Sequence, residues 1–345
     1  MSEEMKPFLA AIAGGARLSV ADSQKVFTLI MSGKALESQI AALLMGMRMR
    51  GESIQEISGA VHAMRAKMMT VSAPEGAIDI VGTGGDGLGT LNISTATALV
   101  VAGCGVPVAK HGNRAVSSKS GASDVLMELG INLNCNLDYI ERSISEAKIG
   151  FLMAPRHHSA MGIVVPVRSA MGVRTIFNIL GPMSNPAKVK RQLTGTFDRA
   201  LIEPMAQTLA NVGCEATWVV HGADGLDELT TTGTTYVAAL KDGKITTFEV
   251  TPGDAGLARA NLDDLRGGDA AANAVAIRSL VAGEKGPYRD VVLLNAAASL
   301  VVASKADDLK AGVLQASASI DDGKAEAALN SMVEITNFSE VAHRE

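Results

Sequence analysis

The first 70 residues place their apolar side chains at helical spacing. Ser53 and Glu56 form a capping box, after which one helical face carries four apolar residues: Ile54, Ile57, Val61 and Met64. A second apolar face follows Ser38, and a third begins at Ser19. Pro74 interrupts this pattern. The pattern therefore predicts a small all-helical domain over residues 1–72.

From residue 73 the pattern changes to short strand-like runs that alternate with helical segments. Strands are predicted at six places: 77–81, 106–109, 149–154, 217–221, 236–240 and 245–250. Helices are predicted between most of them, at 93–103, 121–129, 137–148 and 200–212. The tail from about residue 262 is helical again, at 273–282, 291–304 and 325–336. This alternation predicts an α/β fold with a mostly parallel central sheet flanked by helices.

The chain is thus expected to form two domains. The helical domain covers residues 1–72 and is joined by helices from about 168–190, while residues 73–345 form the α/β domain. Ligands of open α/β sheets bind beyond the carboxyl ends of the strands. A glycine-rich loop after Val81, a basic loop after Ala109 and an acidic loop after His221 would all lie at that edge.

Composition excludes several classes of protein. Of the 345 residues, 47% are apolar and 19% are charged, as is usual for globular chains. The net charge of −5 argues against broad nucleic-acid binding. The apolar runs are too short and too broken to cross a membrane, and the acidic first residues do not resemble a signal peptide. The three cysteines show no metal spacing, so we expect reduced thiols in the cytoplasm.

The stretch from residue 78 to residue 124 has the composition of a phosphate site. Between Gly87 and Ser123 there is no Asp or Glu, although the chain contains 36 of them. The stretch also contains many glycines, four side chains that can carry positive charge (Lys110, His111, Arg114 and Lys119) and the hydroxyls of Thr83, Thr90, Ser94, Thr95, Ser117, Ser118 and Ser120. Backbone N–H groups, hydroxyls and cations without carboxylates are suited to a polyanion.

Two nucleotide-binding motifs fit this stretch poorly. Gly82, Gly84 and Gly87 satisfy a dinucleotide fingerprint, but that motif needs an acid about 20 residues later, and none occurs before Asp124. A Walker loop also fails, because no Gly-Lys-hydroxyl ending follows at the required spacing. The remaining alternative for this loop is a glycine-rich turn that binds no ligand. Likewise, Asn92 could act only as the N-cap of the next helix.

An acidic run at residues 221–229 offers a candidate metal site. Its adjacent carboxylates, Asp227 and Glu228, suit Mg²⁺, which takes a few carboxylates together with water and substrate phosphates. An acidic turn that caps a helix is the alternative, and the acid-free cradle favours the metal. The pair His157-His158 lacks further ligands at zinc spacing. Arg168 and Arg174 flank a helical turn, and either could bind a carboxylate or simply lie on the surface.

Five motifs of the chain resemble those of the anthranilate phosphoribosyltransferase family, a branch of the nucleoside phosphorylase and class IV phosphoribosyltransferase-like proteins. They are GTGGD at 82–86, NIST at 92–95, KHGNR at 110–114, VRTIFNILGP at 173–182 and HGADGLDE at 221–228. Their order and spacing fit over nearly the whole chain. Pyrimidine nucleoside phosphorylases share the fold and a KSG-type stretch, here at 119–121, but lack KHGNR. They are the weaker match, as is a non-catalytic nucleic-acid-binding relative.

The resemblance implies a helical domain hinged to an α/β domain, with homodimerisation through the helices. It implies transfer of the phosphoribosyl group of 5-phosphoribosyl 1-diphosphate (PRPP) to the amino group of anthranilate, with diphosphate leaving. This is the second step of tryptophan biosynthesis from chorismate, and it would use one or two Mg²⁺ ions in the cytoplasm. No nucleic-acid or membrane partner is implied.

Site residues follow from the same resemblance. For PRPP it implies Gly82, Gly85, Asp86, Thr90, Asn92, Ile93, Ser94, Thr95, Lys110, His111, Gly112, Asn113, Arg114, Ala115, Val116, Ser117, Ser118 and Ala122. For anthranilate it implies Gly82, Asn113, Arg168, His111, His158 and Pro182, and for Mg²⁺ Ser94, Asp227 and Glu228. Lys110 would stabilise the leaving group, and no side chain is assigned as proton carrier. Ala122 and Ser159 depart from the family pattern of Ser and Pro.

Overall fold

The computed structural model describes residues 3–114 and 120–338. Its helices are α1 Lys6–Ala13, α2 Val20–Met31, α3 Glu37–Arg50, α4 Ile54–Lys67, α5 Ile93–Gly103, α6 Ala122–Glu128, α7 Leu137–Glu146, α8 Ala154–His157, α9 Val164–Met171, α10 Phe177–Leu180, α11 Ile202–Asn211, α12 Ala270–Val281, α13 Pro287–Val302, α14 Leu309–Asp321 and α15 Lys324–Thr336. Short 3₁₀ turns occupy Glu3–Met5, Ser159–Ile163, Arg199–Leu201, Pro252–Ala255 and Leu262–Leu265.

The described residues form one seven-stranded sheet in the order β3-β2-β1-β4-β5-β6-β7. The strands are β1 Ile78–Gly82, β2 Val108–Gly112, β3 Ile149–Met153, β4 Arg191–Gly195, β5 Ala216–Gly222, β6 Thr235–Lys241 and β7 Lys244–Val250. β1 to β5 pair in parallel, whereas β6 and β7 add an antiparallel edge. The α/β class with a mostly parallel sheet and flanking helices is therefore confirmed.

The N-terminal helices pack around an apolar core that also includes Val219 and Ala238 of the sheet. The capping box before α4 is present, since the Ser53 N–H donates to the Glu56 carboxylate at 2.9 Å. Glu56 is fully buried, forms an ion pair with Arg50 and accepts the Leu18 N–H at 2.8 Å. Gly59 lets α4 approach α2, because a Cβ there would lie 2.4 Å from the Val20 carbonyl oxygen. Helices α9, α10 and α11 contribute buried side chains to this same core.

The strand β4 was missed by the hydrophobic pattern. Its sequence, RQLTG, contains one large apolar residue, Leu193, yet the strand lies between β1 and β5 in the middle of the sheet. The polar side chains of Gln192 and Thr194 are buried and bonded: Gln192 Nε2 donates to the Pro182 carbonyl and to Thr194 Oγ1, both at 2.6 Å. Tertiary partners thus replace the apolar alternation that would have identified a strand.

The prediction that a basic loop begins directly after Ala109 is wrong, because the strand extends further. Strand β2 continues through Lys110 and His111 to Gly112, so these residues are part of the sheet. Lys110 and His111 are buried, at 2% and 3% exposure. Gly112 is required by packing, since a Cβ there would lie 2.7 Å from the Phe151 ring.

Candidate active site

The order of the strands creates a crevice between β1 and β4. The chain proceeds from β1 through β2 to β3 on one side and from β4 to β5 on the other, so the two strands define the topological switch point of the sheet. The glycine loop (residues 83–91) follows β1, and the acidic loop (residues 223–229) follows β5. Both predicted loops therefore lie at the edge where such sheets bind ligands.

The acidic loop is in contact with the ends of both central strands. A Cβ on Gly82, at the end of β1, would lie 2.3 Å from Asp227 Oδ2. A Cβ on Gly195, at the end of β4, would lie 1.5 Å from the Asp227 carbonyl oxygen. Only glycine at these two positions permits the approach. Gly195 was not among the predicted site residues.

The glycine loop is fixed by a few hydrogen bonds. Gly84, Gly85, Gly87 and Gly89 all have positive φ, a conformation that other residues rarely adopt. The Gly84 N–H donates to Asp227 Oδ2 at 2.6 Å, which joins the glycine loop to the acidic loop. The Leu88 N–H donates to Asp86 Oδ1 at 3.1 Å. Asp86 thus organises its own loop.

Asp227 and Glu228 form a buried acidic pair. Both residues are only 8% exposed. Burial, then the neighbouring Glu228 and Asp86 carboxylates, raise the pKa of Asp227 well above its usual value. Burial raises the pKa of Glu228 to about 7, against the opposing effects of Lys110 and of hydrogen bonds from Ser94. Together with Asp86, the pair concentrates negative charge that a cation would relieve.

Asn295 anchors the end of the acidic loop through two hydrogen bonds. Its side chain accepts the Leu229 N–H at 3.0 Å and donates to the Leu229 carbonyl at 2.8 Å. Within the loop, Asp224 Oδ2 accepts the hydroxyls of Thr230 at 2.7 Å and Thr232 at 2.6 Å. Asp224 is therefore a structural acid, and Asn295 is a site-supporting residue that the sequence motifs did not indicate.

The start of α5 is held by residues distant in sequence. Asn273 Nδ2 donates to Asn92 Oδ1 at 2.8 Å, and the Tyr288 hydroxyl donates to the Asn92 carbonyl at 3.2 Å. The backbones of Thr90 and Arg266 form an isolated antiparallel β-bridge. Ile93 and Thr95 are buried, and Ser94 is half-buried beside Glu228. Asn273 and Tyr288 were likewise not predicted.

Lys110 and Asp79 are buried side chains of the neighbouring strands β2 and β1. Lys110 Nζ donates to the Ile80 carbonyl at 2.7 Å, and burial lowers its pKa, opposed by Asp79, Glu228 and Asp227. Asp79 accepts the His111 N–H at 2.9 Å and Asn185 Nδ2 at 2.7 Å. Burial raises the pKa of Asp79 to about 6. These bonds fix the strand that carries the lysine.

Three histidines of this region, His111, His157 and His158, are buried. The rings of His111 and His158 lie 5.1 Å apart. Burial lowers the pKa of His111 well below its usual value and that of His158 to about 4. His157 Nδ1 lies 2.8 Å from the Met69 carbonyl oxygen, so it ties α8 to the segment after α4. Within residues 3–114 and 120–338, no three His, Cys, Asp or Glu side chains are grouped to hold a metal.

Arg168 lies on α9 and is half-buried. Its Nη2 donates to Asn178 Oδ1 at 3.3 Å, and its guanidinium lies over the Phe177 ring. Burial lowers its pKa. Pro182 is buried after α10, and its carbonyl accepts Gln192 Nε2. The structure thus places both residues on the segment that packs with the helical domain.

The remaining predicted residues surround the start of α6. Asn113 and Arg114 are exposed after β2, and the Arg114 N–H donates to Asn113 Oδ1 at 2.8 Å. Ala122 begins α6, and its Cβ would lie 3.4 Å from a Cβ on Gly112. Ser159, the other departure from the family pattern, begins an exposed 3₁₀ turn. Four predicted PRPP residues lie outside the described residues: Ala115, Val116, Ser117 and Ser118.

Both parts of the chain match known protein families. Residues 74–326 match the family model described as glycosyl transferase family, a/b domain, and residues 6–68 match the helical bundle domain of the same family. An anthranilate phosphoribosyltransferase of Rhodopseudomonas palustris (strain HaA2) is 57% identical over 333 residues, which are 96% of this chain and 98% of the relative.

Two solved structures share the whole architecture. The crystal structure of anthranilate phosphoribosyltransferase (TrpD) from Thermus thermophilus has a TM-score of 0.92 at 39% identity, covering 96% of this chain and 99% of its own. The enzyme of the same name from Saccharomyces cerevisiae in complex with PRPP and Mg has a TM-score of 0.89 at 27% identity, covering 97% of this chain and 98% of its own.

Proposed function

This chain belongs to the anthranilate phosphoribosyltransferases of the glycosyl transferase family. From this membership we propose that it transfers the phosphoribosyl group of PRPP to the amino group of anthranilate. The products are N-(5-phosphoribosyl)anthranilate and diphosphate, in the second step of tryptophan biosynthesis from chorismate. One observation carries the proposal: a buried pair of carboxylates is bonded to a glycine loop at the switch point of the sheet.

The PRPP site is built around the glycine loop and the start of α5. Backbone N–H groups of the loop, the hydroxyls of Ser94 and Thr95 and the N-terminus of α5 bind phosphate oxygens. Asn92 would be a further ligand, oriented by Asn273. Lys110 lies one layer deeper, where its charge acts on the leaving diphosphate through a low-dielectric interior.

Ser94, Asp227 and Glu228 fit a Mg²⁺ site. They offer two carboxylates and a hydroxyl, which are the hard oxygen donors that Mg²⁺ takes, and burial raises the pKa of both carboxylates, so a cation would stabilise their charged forms. A bound Mg²⁺ supplies positive charge to the diphosphate. The small number of side-chain donors suits an ion that keeps waters and substrate phosphates as ligands, and it is compatible with one ion or two.

The anthranilate site faces the helical domain. Arg168 binds the carboxylate, because a guanidinium can pair with both carboxylate oxygens and the long bond to Asn178 leaves it N–H donors for such a pair. His111, His158 and Pro182 form the wall of the path, where neutral histidines suit an aromatic ring. Asn113 and the Gly82 backbone complete this site.

The chemistry follows from the weak nucleophilicity of an aromatic amine. Diphosphate must be leaving before the amine attacks, so positive charge spreads over the ribose ring. The protein then acts by positioning both substrates and neutralising the leaving group, with Lys110 and the α5 N-terminus as its own contributions. A strong general base is unnecessary because the N-protonated arylamine is already acidic. The lowered pKa of the buried His111 imidazole, which makes it a weak base, agrees with this.

We further propose a homodimer through the helical domain. Several large apolar side chains are exposed on α3 and around the start of α9: Leu36, Met45, Met49, Ile163 and Val165. Met49 is 80% exposed, which is unusual for so large an apolar side chain.

The proposed compartment is the cytoplasm, where the free thiols of Cys104, Cys135 and Cys214 would stay reduced. No helix of residues 3–114 and 120–338 is long and apolar enough to span a membrane.

The experiment that tests the function mixes the purified protein with PRPP, Mg²⁺ and anthranilate and follows anthranilate fluorescence. We expect a decay that requires all three components. If PRPP binds by calorimetry but no decay occurs, the donor site is right and the acceptor is wrong. Turnover of a pyrimidine nucleoside with phosphate would instead support the phosphorylase alternative.

A further inference from the structure

Arg174 connects the helical-domain segment to the glycine loop. It lies between α9 and α10, next to Ile176 and Phe177, which are buried in the core of the helical domain. Its Nη2 donates to the Gly85 carbonyl. Its guanidinium carbon lies 4.0 Å from the centroid of the Phe197 ring, a close cation–π contact. One exposed side chain thus contacts two segments of the other domain.

Both segments support the same loop. Gly85 lies among the four positive-φ glycines, which lose more conformational freedom on ordering than other residues do. Phe197 follows β4, and its N–H donates to Thr83 Oγ1 at 3.1 Å at the start of the loop. A tether that acts on both segments would reduce the entropy that the loop must lose when it binds a ligand.

Arg168 and Thr175, the neighbour of Arg174, bond to the same side chain, but the two arginines contact different segments. Asn178 Oδ1 accepts both the Thr175 N–H at 2.9 Å and Arg168 Nη2 at 3.3 Å. Arg168 thus bonds within its own segment, whereas Arg174 bonds to the glycine loop.

We propose that Arg174 is a positioning residue for the phosphoribosyl donor, which holds the glycine loop in its binding conformation through the Gly85 carbonyl and the Phe197 ring. The inference rests on the proposed function, because it assigns the glycine loop to PRPP. It predicts that the two arginines, six positions apart, control the affinities of different substrates.

The tether itself is tested without substrate. Hydrogen–deuterium exchange of the amides at residues 84–89 is compared between the wild-type protein, Arg174→Ala and Arg199→Ala. Arg199 is a matched control, since its guanidinium lies 3.5 Å from the Tyr236 ring centroid and it is also exposed. We expect about tenfold faster exchange in Arg174→Ala alone, or about 1.4 kcal/mol. Unchanged exchange in Arg174→Ala would overturn the proposal.

Steady-state kinetics then test the assignment to the donor. Arg174→Ala should raise the Michaelis constant for PRPP about tenfold while that for anthranilate stays within about twofold, the range of ordinary surface substitutions. Arg174→Lys retains a donor for Gly85 and should recover part of the loss. An equal change for both substrates, or a Lys variant as impaired as the Ala variant, would refute the proposal. Absence of turnover by the wild-type protein would instead refute the proposed function, while the exchange experiment would still decide on the tether.

Discussion

The contact between Gly195 and the acidic loop yields the sharpest prediction. In Gly195→Ala the new Cβ would lie 1.5 Å from the Asp227 carbonyl oxygen, where an ordinary contact is at least 3.4 Å. The loop backbone would therefore have to withdraw by about 2 Å. It is not free to do so, because Leu226 and Leu229 are fully buried and Asn295 is bonded to Leu229.

The expected result is a large loss of activity in a protein that still folds. A displacement of about 1 Å at an active site can reduce the rate about a hundredfold, and we expect at least that in kcat/KM, with a raised Mg²⁺ requirement. Overpacking costs about 1–3 kcal/mol, against a total stability of about 5–15 kcal/mol.

The assay is the fluorescence decay of anthranilate at several Mg²⁺ concentrations, alongside thermal unfolding of each variant. Gly162→Ala is the matched control, because nothing lies within 4 Å of its new Cβ, and it should behave as wild type. A Gly195→Ala protein with wild-type rate and Mg²⁺ dependence would show that the acidic loop is not the structure that activity requires.

Three further variants, the first a double substitution, test individual roles. Asp227→Ala combined with Glu228→Ala should raise the Mg²⁺ requirement and severely reduce the rate; near-normal turnover at low Mg²⁺ would remove both from the metal site. Arg168→Ala should mainly raise the Michaelis constant for anthranilate, by about tenfold or more for the loss of a charged pair, whereas equal losses for both substrates would indicate a structural role. His111→Ala should retain measurable turnover, since burial lowers the pKa of the imidazole well below its usual value and so makes it a weak base; complete inactivity with intact binding of both substrates would identify it as a proton carrier.

Local patterns predicted most elements to within a few residues. Helix α5 occupies the predicted range 93–103, and β3 was predicted at 149–154 and observed at Ile149–Met153. Helix α14 was missed. It is composed largely of small residues and exposes Leu314 at 72%, so its apolar periodicity is weak. The boundary between the domains at residues 72 and 73 remains a prediction, as do the roles of the individual site residues.

The glycines around the crevice are required for different reasons. Gly84 and Gly85 need positive φ, which a glycine-rich loop suggests by composition. Gly82 and Gly195 are instead required by the approach of Asp227, more than 30 residues away along the chain from either. No local pattern contains that information, and Gly195 was accordingly overlooked.

The sequence by itself determined the family and the α/β class with its mostly parallel sheet, and it predicted the segments proposed for phosphate, metal and carboxylate chemistry, because these depend on motifs and on periodicities within one segment. The tertiary structure alone decided that Lys110 is buried in a strand and that β4 is the central strand. It also decided that Asn295 and Arg174 support the loops. A buried polar side chain is tolerated only where a partner satisfies it, and those partners come from distant parts of the chain.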